Sequence, residues 1–184
     1  MAQLQHNWSP HALGYTPTFN LAEPIQASKA ALRSLAIRIQ HLELETQTLR
    51  MELDKLTEQV APTTSAVFGL GPDTVAALLV TIGDNPDRLR SEAAFAHACG
   101  VAPISASSGN TNRHRLHRGG DRSGNSALHI ATIVRLRHDP RSRAYADRRT
   151  TEGLSMPEII RCQKRYLARE VFQAIRTDFA KLST

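Results

Sequence analysis

Between residues 28 and 60, leucine and its relatives recur at alternating steps of three and four: Leu32, Leu35, Ile39, Leu42, Leu49, Leu53, Leu56 and Val60. Only Thr46 interrupts the series. A stripe with this period is the seam of a coiled coil, with a positions at 32, 39, 46, 53 and 60 and d positions at 35, 42, 49 and 56. Glu43, Glu45, Glu52 and Glu58 mix with Arg38, Arg50 and Lys55 on the remaining faces. A helix over 26–60 is about 50 Å long. Such a stripe cannot bury itself, so it needs a second chain or a groove on its own domain. Self-association through residues 28–60 is the expectation, and packing in cis the alternative.

Upstream, residues 1–25 hold Pro10, Pro17 and Pro24 with no helical or strand period, and read as an extended or disordered tail. Downstream, residues 61–184 read as one helical domain. A short helix leads into Gly69-Leu70-Gly71, and Pro72 starts the next helix, a spacing that suggests a helix-hairpin-helix. Its Gly69 and Gly71 would let backbone N–H groups approach a DNA phosphate. A tight turn between packed helices explains the same residues, and residues 63–83 carry no basic side chain. A turn follows at 84–87. Ser91 caps a helix over 92–99 that buries Phe95, Ala98 and Cys99. Residues 100–124 read as a loop with room for a short hairpin. A helix over 125–138 turns Leu128, Ala131, Ile133, Val134 and Leu136 inward and Arg135 and Arg137 outward. Another helix covers 141–150. Ser155 and Glu158 form a capping box for a last helix to about 181, which buries Ile160, Leu167, Val171, Ile175, Phe179 and Leu182. The fold class is therefore mainly α.

Charge is unevenly placed. Residues 110–184 hold 16 Lys/Arg against 7 Asp/Glu, whereas residues 1–109 hold 7 against 10. A basic block of this kind points to a polyanion, and nucleic acid is the default. Cys99 and Cys162 form no CxxC pair and read as buried free thiols. No apolar run approaches the length of a membrane span, and no signal peptide opens the chain, which fits a reducing cytoplasm.

The loop carries the chemistry. Ser105, Ser107 and Ser108 and the glycines 109, 119 and 120 lie beside Arg113, Arg115, Arg118 and Arg122. A hydroxyl attacks phosphorus only when the phosphate is held and its charge offset, and arginine forks do both. His114, His117 and Asp121 stand in the same loop as possible helpers, with Asp121 better placed to cap the following helix. His114 and His117 lack a third ligand nearby, so a metal site is not expected. Arg141, Arg143, Arg148 and Arg149 extend a nucleic-acid track, while Tyr145 and Tyr166 read as packing residues.

Several stretches together resemble the C-terminal transposase domain of the bacterial insertion-sequence family related to the Piv DNA invertase, whose better-studied members are guided by a bridge RNA. They are 68–79 (Phe-Gly-Leu-Gly-Pro-Asp-Thr-Val-Ala-Ala-Leu-Leu), 91–96 (Ser-Glu-Ala-Ala-Phe-Ala), 99–103 (Cys-Gly-Val-Ala-Pro), Ser108-Gly109, 112–116, 118–122, 136–145 and 161–169, spanning about 61–178. The resemblance implies DNA transposition through a serine linked covalently to DNA, and the family's Ser-Gly pair falls on Ser108. It also implies a RuvC-like domain whose DEDD carboxylates hold Mg²⁺. Only 24 residues precede the coiled coil, with Glu23 their single acid. The expectation is a chain that lacks that domain, binds no cofactor itself, contacts DNA and a guide RNA, and is catalytically incomplete. A binding-only, dimerising remnant is the alternative.

Overall fold

The computed structural model describes residues 12–16, 22–83, 90–105, 114–115, 117 and 119–182. The turn expected at 84–87 lies outside them. The chain divides into two compact units, Met1–Met51 and Glu52–Thr184. The fold is mainly α, as the periodicity predicts.

Helix α1 covers Pro24–Val60. No glycine or proline interrupts it after its first residue, so nothing in its interior opposes the helix. In the first unit, Arg33 donates to the carbonyl of Tyr15 at 3.2 Å, which ties residues 12–16 of the expected tail to the helix. Ala36 is fully buried, but the seam leucines Leu32, Leu35, Leu42 and Leu49 are exposed. Leu56 and Val60, at the helix's other end, are exposed too.

The second unit is built around a long last helix. Its elements are α2 (Pro62–Ser65), α3 (Pro72–Ile82), α4 (Glu92–Ala98), strands β1 (Ile104–Ser105) and β2 (His114–Arg115), then α5 (Arg122–His138), α6 (Pro140–Thr151) and α7 (Met156–Leu182). The strands pair antiparallel, Ile104 opposite Arg115 and Ser105 opposite His114, so the loop does hold a short hairpin. Helix α7 packs against α2, α4, α5 and α6, and α3 packs against α5.

The core follows from helical spacing. Leu167, Val171 and Ile175 recur every four residues on α7, joined by Ala168 and Phe172. They meet Leu78 and Ile82 of α3, Phe95 of α4, and Ala127, Leu128 and Ala131 of α5. Phe95 stacks on Phe172 with ring centroids 6.0 Å apart. The buried stripe of α7 begins one residue earlier than the sequence suggests: Ile159 is buried, Ile160 only half-buried, and Leu182 exposed. The caps read from sequence are present. Ser91 accepts from the Ala94 N–H, and Glu158 accepts from the backbone N–H of Ser155 at 2.9 Å and from its hydroxyl at 2.5 Å.

Two polar anchors lie off the hydrophobic pattern. Asp178, 2 % exposed, accepts from the N–H groups of Thr63 and Thr64 at 2.9 and 2.8 Å and from the Thr64 hydroxyl at 2.8 Å. It caps α2 from near the far end of α7. Burial alone would raise its carboxyl, but the hydrogen bonds from Thr63 and Thr64 outweigh that and hold it below the ordinary value. Arg135, read from sequence as outward, instead turns to its neighbours: Nη1 and Nη2 grip Glu170 at 2.7 and 2.9 Å, and Nε donates to the Phe68 carbonyl at 2.7 Å. A long side chain on a helix flank buries its stem and finds partners for its head, which periodicity alone does not reveal.

Candidate catalytic loop and nucleic-acid interface

The candidate loop leaves the C-terminus of α4 and returns at the N-terminus of α5. Gly100, with φ +64°, ends α4, and the N–H groups of Val101 and Ala102 both donate to the Ala96 carbonyl, at 2.8 and 3.1 Å. Only glycine adopts that backbone at low cost. On the return side, the Asp121 N–H donates to the Ala98 carbonyl at 2.6 Å. Gly120 passes so close that a β-carbon there would sit 2.2 Å from the Gly100 nitrogen. The two ends of the loop are thus in backbone contact.

Side chains fasten this closure. Asn125 donates to the carbonyls of Cys99 and Gly100 at 2.9 and 3.2 Å, and its own carbonyl accepts from Lys164 of α7 at 2.6 Å. Asp121 caps α5, accepting from the Gly124 N–H at 2.7 Å and lying 3.2 Å from the Thr81 hydroxyl. That agrees with the cap expected of it. Behind them, Cys99 is buried beneath the loop base. Its thiol is pushed up to about 12, by burial first and then by the charge of Asp121, with Lys164 opposing. Burial also lowers Lys164 from its ordinary value. Cys162 is only half-buried, so of the two thiols read as buried, one is.

Helix α4, which launches the loop, is clamped to α7. Glu92 pairs with Arg169 Nε at 3.0 Å and Arg165 Nη2 at 2.5 Å. The hydrogen bond from Arg169, then that from Arg165, holds its carboxyl below the ordinary value.

Among the expected site residues, Ser107, Ser108, Arg113 and Arg118 lie outside the described residues, as do the side chains of His114 and Arg115. Ser105 is exposed on β1, and Arg122 is exposed at the first position of α5. The ring of His117 meets that of His97 edge to face at 5.2 Å, and its Nδ1 is buried without a hydrogen-bond partner. Gly69 has φ +91°, and a β-carbon there would meet the Ala131 carbonyl at 3.0 Å, so its backbone serves the packing of the turn on α5. The Gly71 N–H donates to the Thr74 hydroxyl at 2.7 Å. Among the described residues no three His, Cys, Asp or Glu side chains gather to hold a metal, and no helix is long and apolar enough to cross a membrane.

The sequence reading did not find the Asn125–Lys164 fastening, the Glu92 clamp or the Asp178 cap. Each joins residues far apart in the chain; Glu92 and Lys164 fall in stretches that carry the resemblance, 91–96 and 161–169, but nothing local points to their partners.

Residues 63–147 match the family described as "Transposase IS116/IS110/IS902 family". This span runs from the Asp178-capped turn through the loop to α6. The chain is also 33 % identical over 124 residues to the "Insertion element IS110 uncharacterized 43.6 kDa protein" of Streptomyces coelicolor, a match over 65 % of this chain and 30 % of that protein. The chain thus spans less than a third of that relative. Both matches point the same way: the matched family and the relative each carry the IS110 name.

Proposed function

We propose that this chain works in insertion-sequence transposition, as the part of an IS110-type transposase that grips DNA and presents a serine to it. The observation that carries the reading is the loop pinned shut at Gly100 and Gly120 within the segment that matches the transposase family. A closed base fixes where the loop emerges. On this reading Ser108 and the arginines 113, 115, 118 and 122 act from the loop that this closure begins and ends.

In this reading the arginines hold the phosphates on either side of the scissile one. The Ser108 hydroxyl attacks phosphorus and gives up its proton to a base. One bridging oxygen leaves with a proton, and the phosphate stays bonded to serine. A hydroxyl of a second strand then displaces the serine, which recovers its proton. Asp121 is taken up by capping α5, so His117, whose Nδ1 has no hydrogen-bond partner, is the better candidate for the base within the loop. Divalent metal on carboxylates that the described residues do not assemble would supply Lewis-acid help. DNA is the substrate, and a guide RNA would meet the same arginines. The exposed leucine seam of α1 supports a homo-oligomer formed through residues 28–60.

The test is a search for a protein–DNA adduct that survives SDS, with the chain supplemented by a RuvC-like domain of a full-length relative. Ser108→Ala should abolish the adduct, while Ser105→Ala and Ser107→Ala should leave it. An adduct that survives Ser108→Ala assigns the nucleophile to another residue.

A further inference from the structure

Tyr145 of α6 and Tyr166 of α7 were expected to be packing residues, yet Tyr166 is 55 % exposed. The two rings stand edge to face with centroids 5.8 Å apart and planes at 82°. A guanidinium flanks each: Arg148 lies 5.5 Å from the Tyr145 centroid and Arg169 6.0 Å from that of Tyr166. Helical spacing deepens this field. The neighbours of Tyr145 at i−4, i+3 and i+4, which share its face, are Arg141, Arg148 and Arg149. Residues 140–169 hold eight Lys/Arg against three Asp/Glu.

We infer that the Tyr145–Tyr166 pair and its arginines form a stacking platform for an unpaired nucleobase. A tyrosine that served packing alone would bury its ring. Here a tyrosine that is more than half exposed stands among arginines, Arg148 and Arg149 sharing Glu152 and Arg169 held by Glu92. A nucleobase answers both features at once: its flat face lies on the phenol ring while its phosphate meets a guanidinium. Bases within a duplex are stacked on one another and offer no free face, so the occupant is single-stranded. The clamp of Glu92 on Arg169 joins the platform to α4, the helix that launches the loop. An unpaired stretch next to a strand break is therefore the segment it suits. The inference rests on the nucleic-acid reading above and adds the strand state that this face selects.

Binding of the full chain is followed by fluorescence anisotropy with short dye-labelled probes: single-stranded DNA, RNA of the same sequence, and the DNA duplex. Tyr166→Ala should weaken single-strand binding by roughly 5- to 150-fold, the effect of losing one stacked base, with duplex affinity unchanged. Tyr166→Phe, which keeps the ring, should bind like the parent chain. Because the side chain is largely exposed, melting curves of both variants should overlay the parent's. A loss limited to DNA or to RNA names the source of the base, and an equal loss shows stacking common to both. Single-strand affinity unmoved by Tyr166→Ala, or lost in step with duplex affinity, overturns the platform and leaves the nucleic-acid reading standing. A parent chain that binds no probe overturns both.

Discussion

A β-carbon on Gly120 would lie 2.2 Å from the backbone nitrogen of Gly100 and 2.4 Å from its Cα. The two glycines are the point at which a loop of some twenty residues closes on itself, and the contact is backbone against backbone, so no side-chain rotation relieves an intruder. Gly120→Ala should therefore destabilise the fold by about 1–3 kcal/mol, the range for forcing atoms into a packed site. Among the described residues a β-carbon at Gly119 meets only the His117 ring, at an ordinary contact distance of 3.5 Å, so Gly119→Ala should melt like the parent. Paired urea titrations check both.

Thiol reactivity should separate the two cysteines. The Cys99 thiol is buried and pushed up to about 12, so almost no thiolate exists near neutral pH, whereas Cys162 is half-buried. A disulfide reagent at pH 8 should modify Cys162 first and Cys99 only after denaturation. In Cys162→Ser the fast phase should vanish. A fast phase that persists there would place Cys99 in solvent reach.

Acid should weaken the fold through its carboxylates. Glu92, Asp139, Glu158 and Asp178 all titrate below their ordinary values in the folded chain. The proton thus binds the unfolded chain more readily. The stability they contribute is present above about pH 4, the unfolded carboxylate range, and is lost as pH falls through the lower folded values. The urea midpoint should drop from pH 7 to pH 3. Asp178→Asn should cost about 1–3 kcal/mol at pH 7, because its amide nitrogen cannot accept, which leaves a half-buried donor of Thr63 or a buried one of Thr64 unmatched. It should also reduce the acid sensitivity.

Charge in the loop should show in the salt dependence of duplex binding. Each phosphate contact contributes about 0.9 to the negative slope of log K against log salt. Changing Arg113, Arg115 and Arg118 together to Gln should flatten the slope by up to about 2.7. An unchanged slope would move the duplex-binding surface elsewhere.

The seam of α1 should set the association state. Leu42→Asp with Leu49→Asp places carboxylates where two apolar stripes would meet, and burying unpaired charge is costly. Light scattering should report an oligomer for the parent and a monomer for the double variant. A monomeric parent would mean that the stripe is covered some other way.

Much of the frame was legible because it rests on local rules. The 3.6-residue period placed Leu128 and Ala131 of α5 and Leu167, Val171 and Ile175 of α7 in the core, whereas Ile133, Val134 and Leu136 are only half-buried, and capping residues such as Ser91 and Ser155 marked helix starts within a residue or two. Asp121 read correctly as a cap because a short carboxylate just before an apolar run has few better uses. The closure of the loop was only half legible: glycines at 109, 119 and 120 announced a permissive backbone, but not that Gly120 would close on Gly100. Asn125, Lys164 and Glu92 stayed hidden because their partners are 25 to 77 positions away, and no local pattern encodes a tertiary hydrogen bond. Arg135 misled for a related reason, since helical phase gives the direction of a Cα–Cβ bond and not the end of a long side chain.

The cap that Asp178 places on α2 has a consequence for shortened versions of this protein. The residues that begin the transposase-like segment are held by a side chain in the last turns of α7. A premature stop ahead of codon 178 would take away Phe179, which packs on the core, and would also release Thr63 and Thr64 and unmoor the entry to the segment. Deletion from this end should therefore show an abrupt threshold in expression yield, rather than a gradual decline with each residue removed.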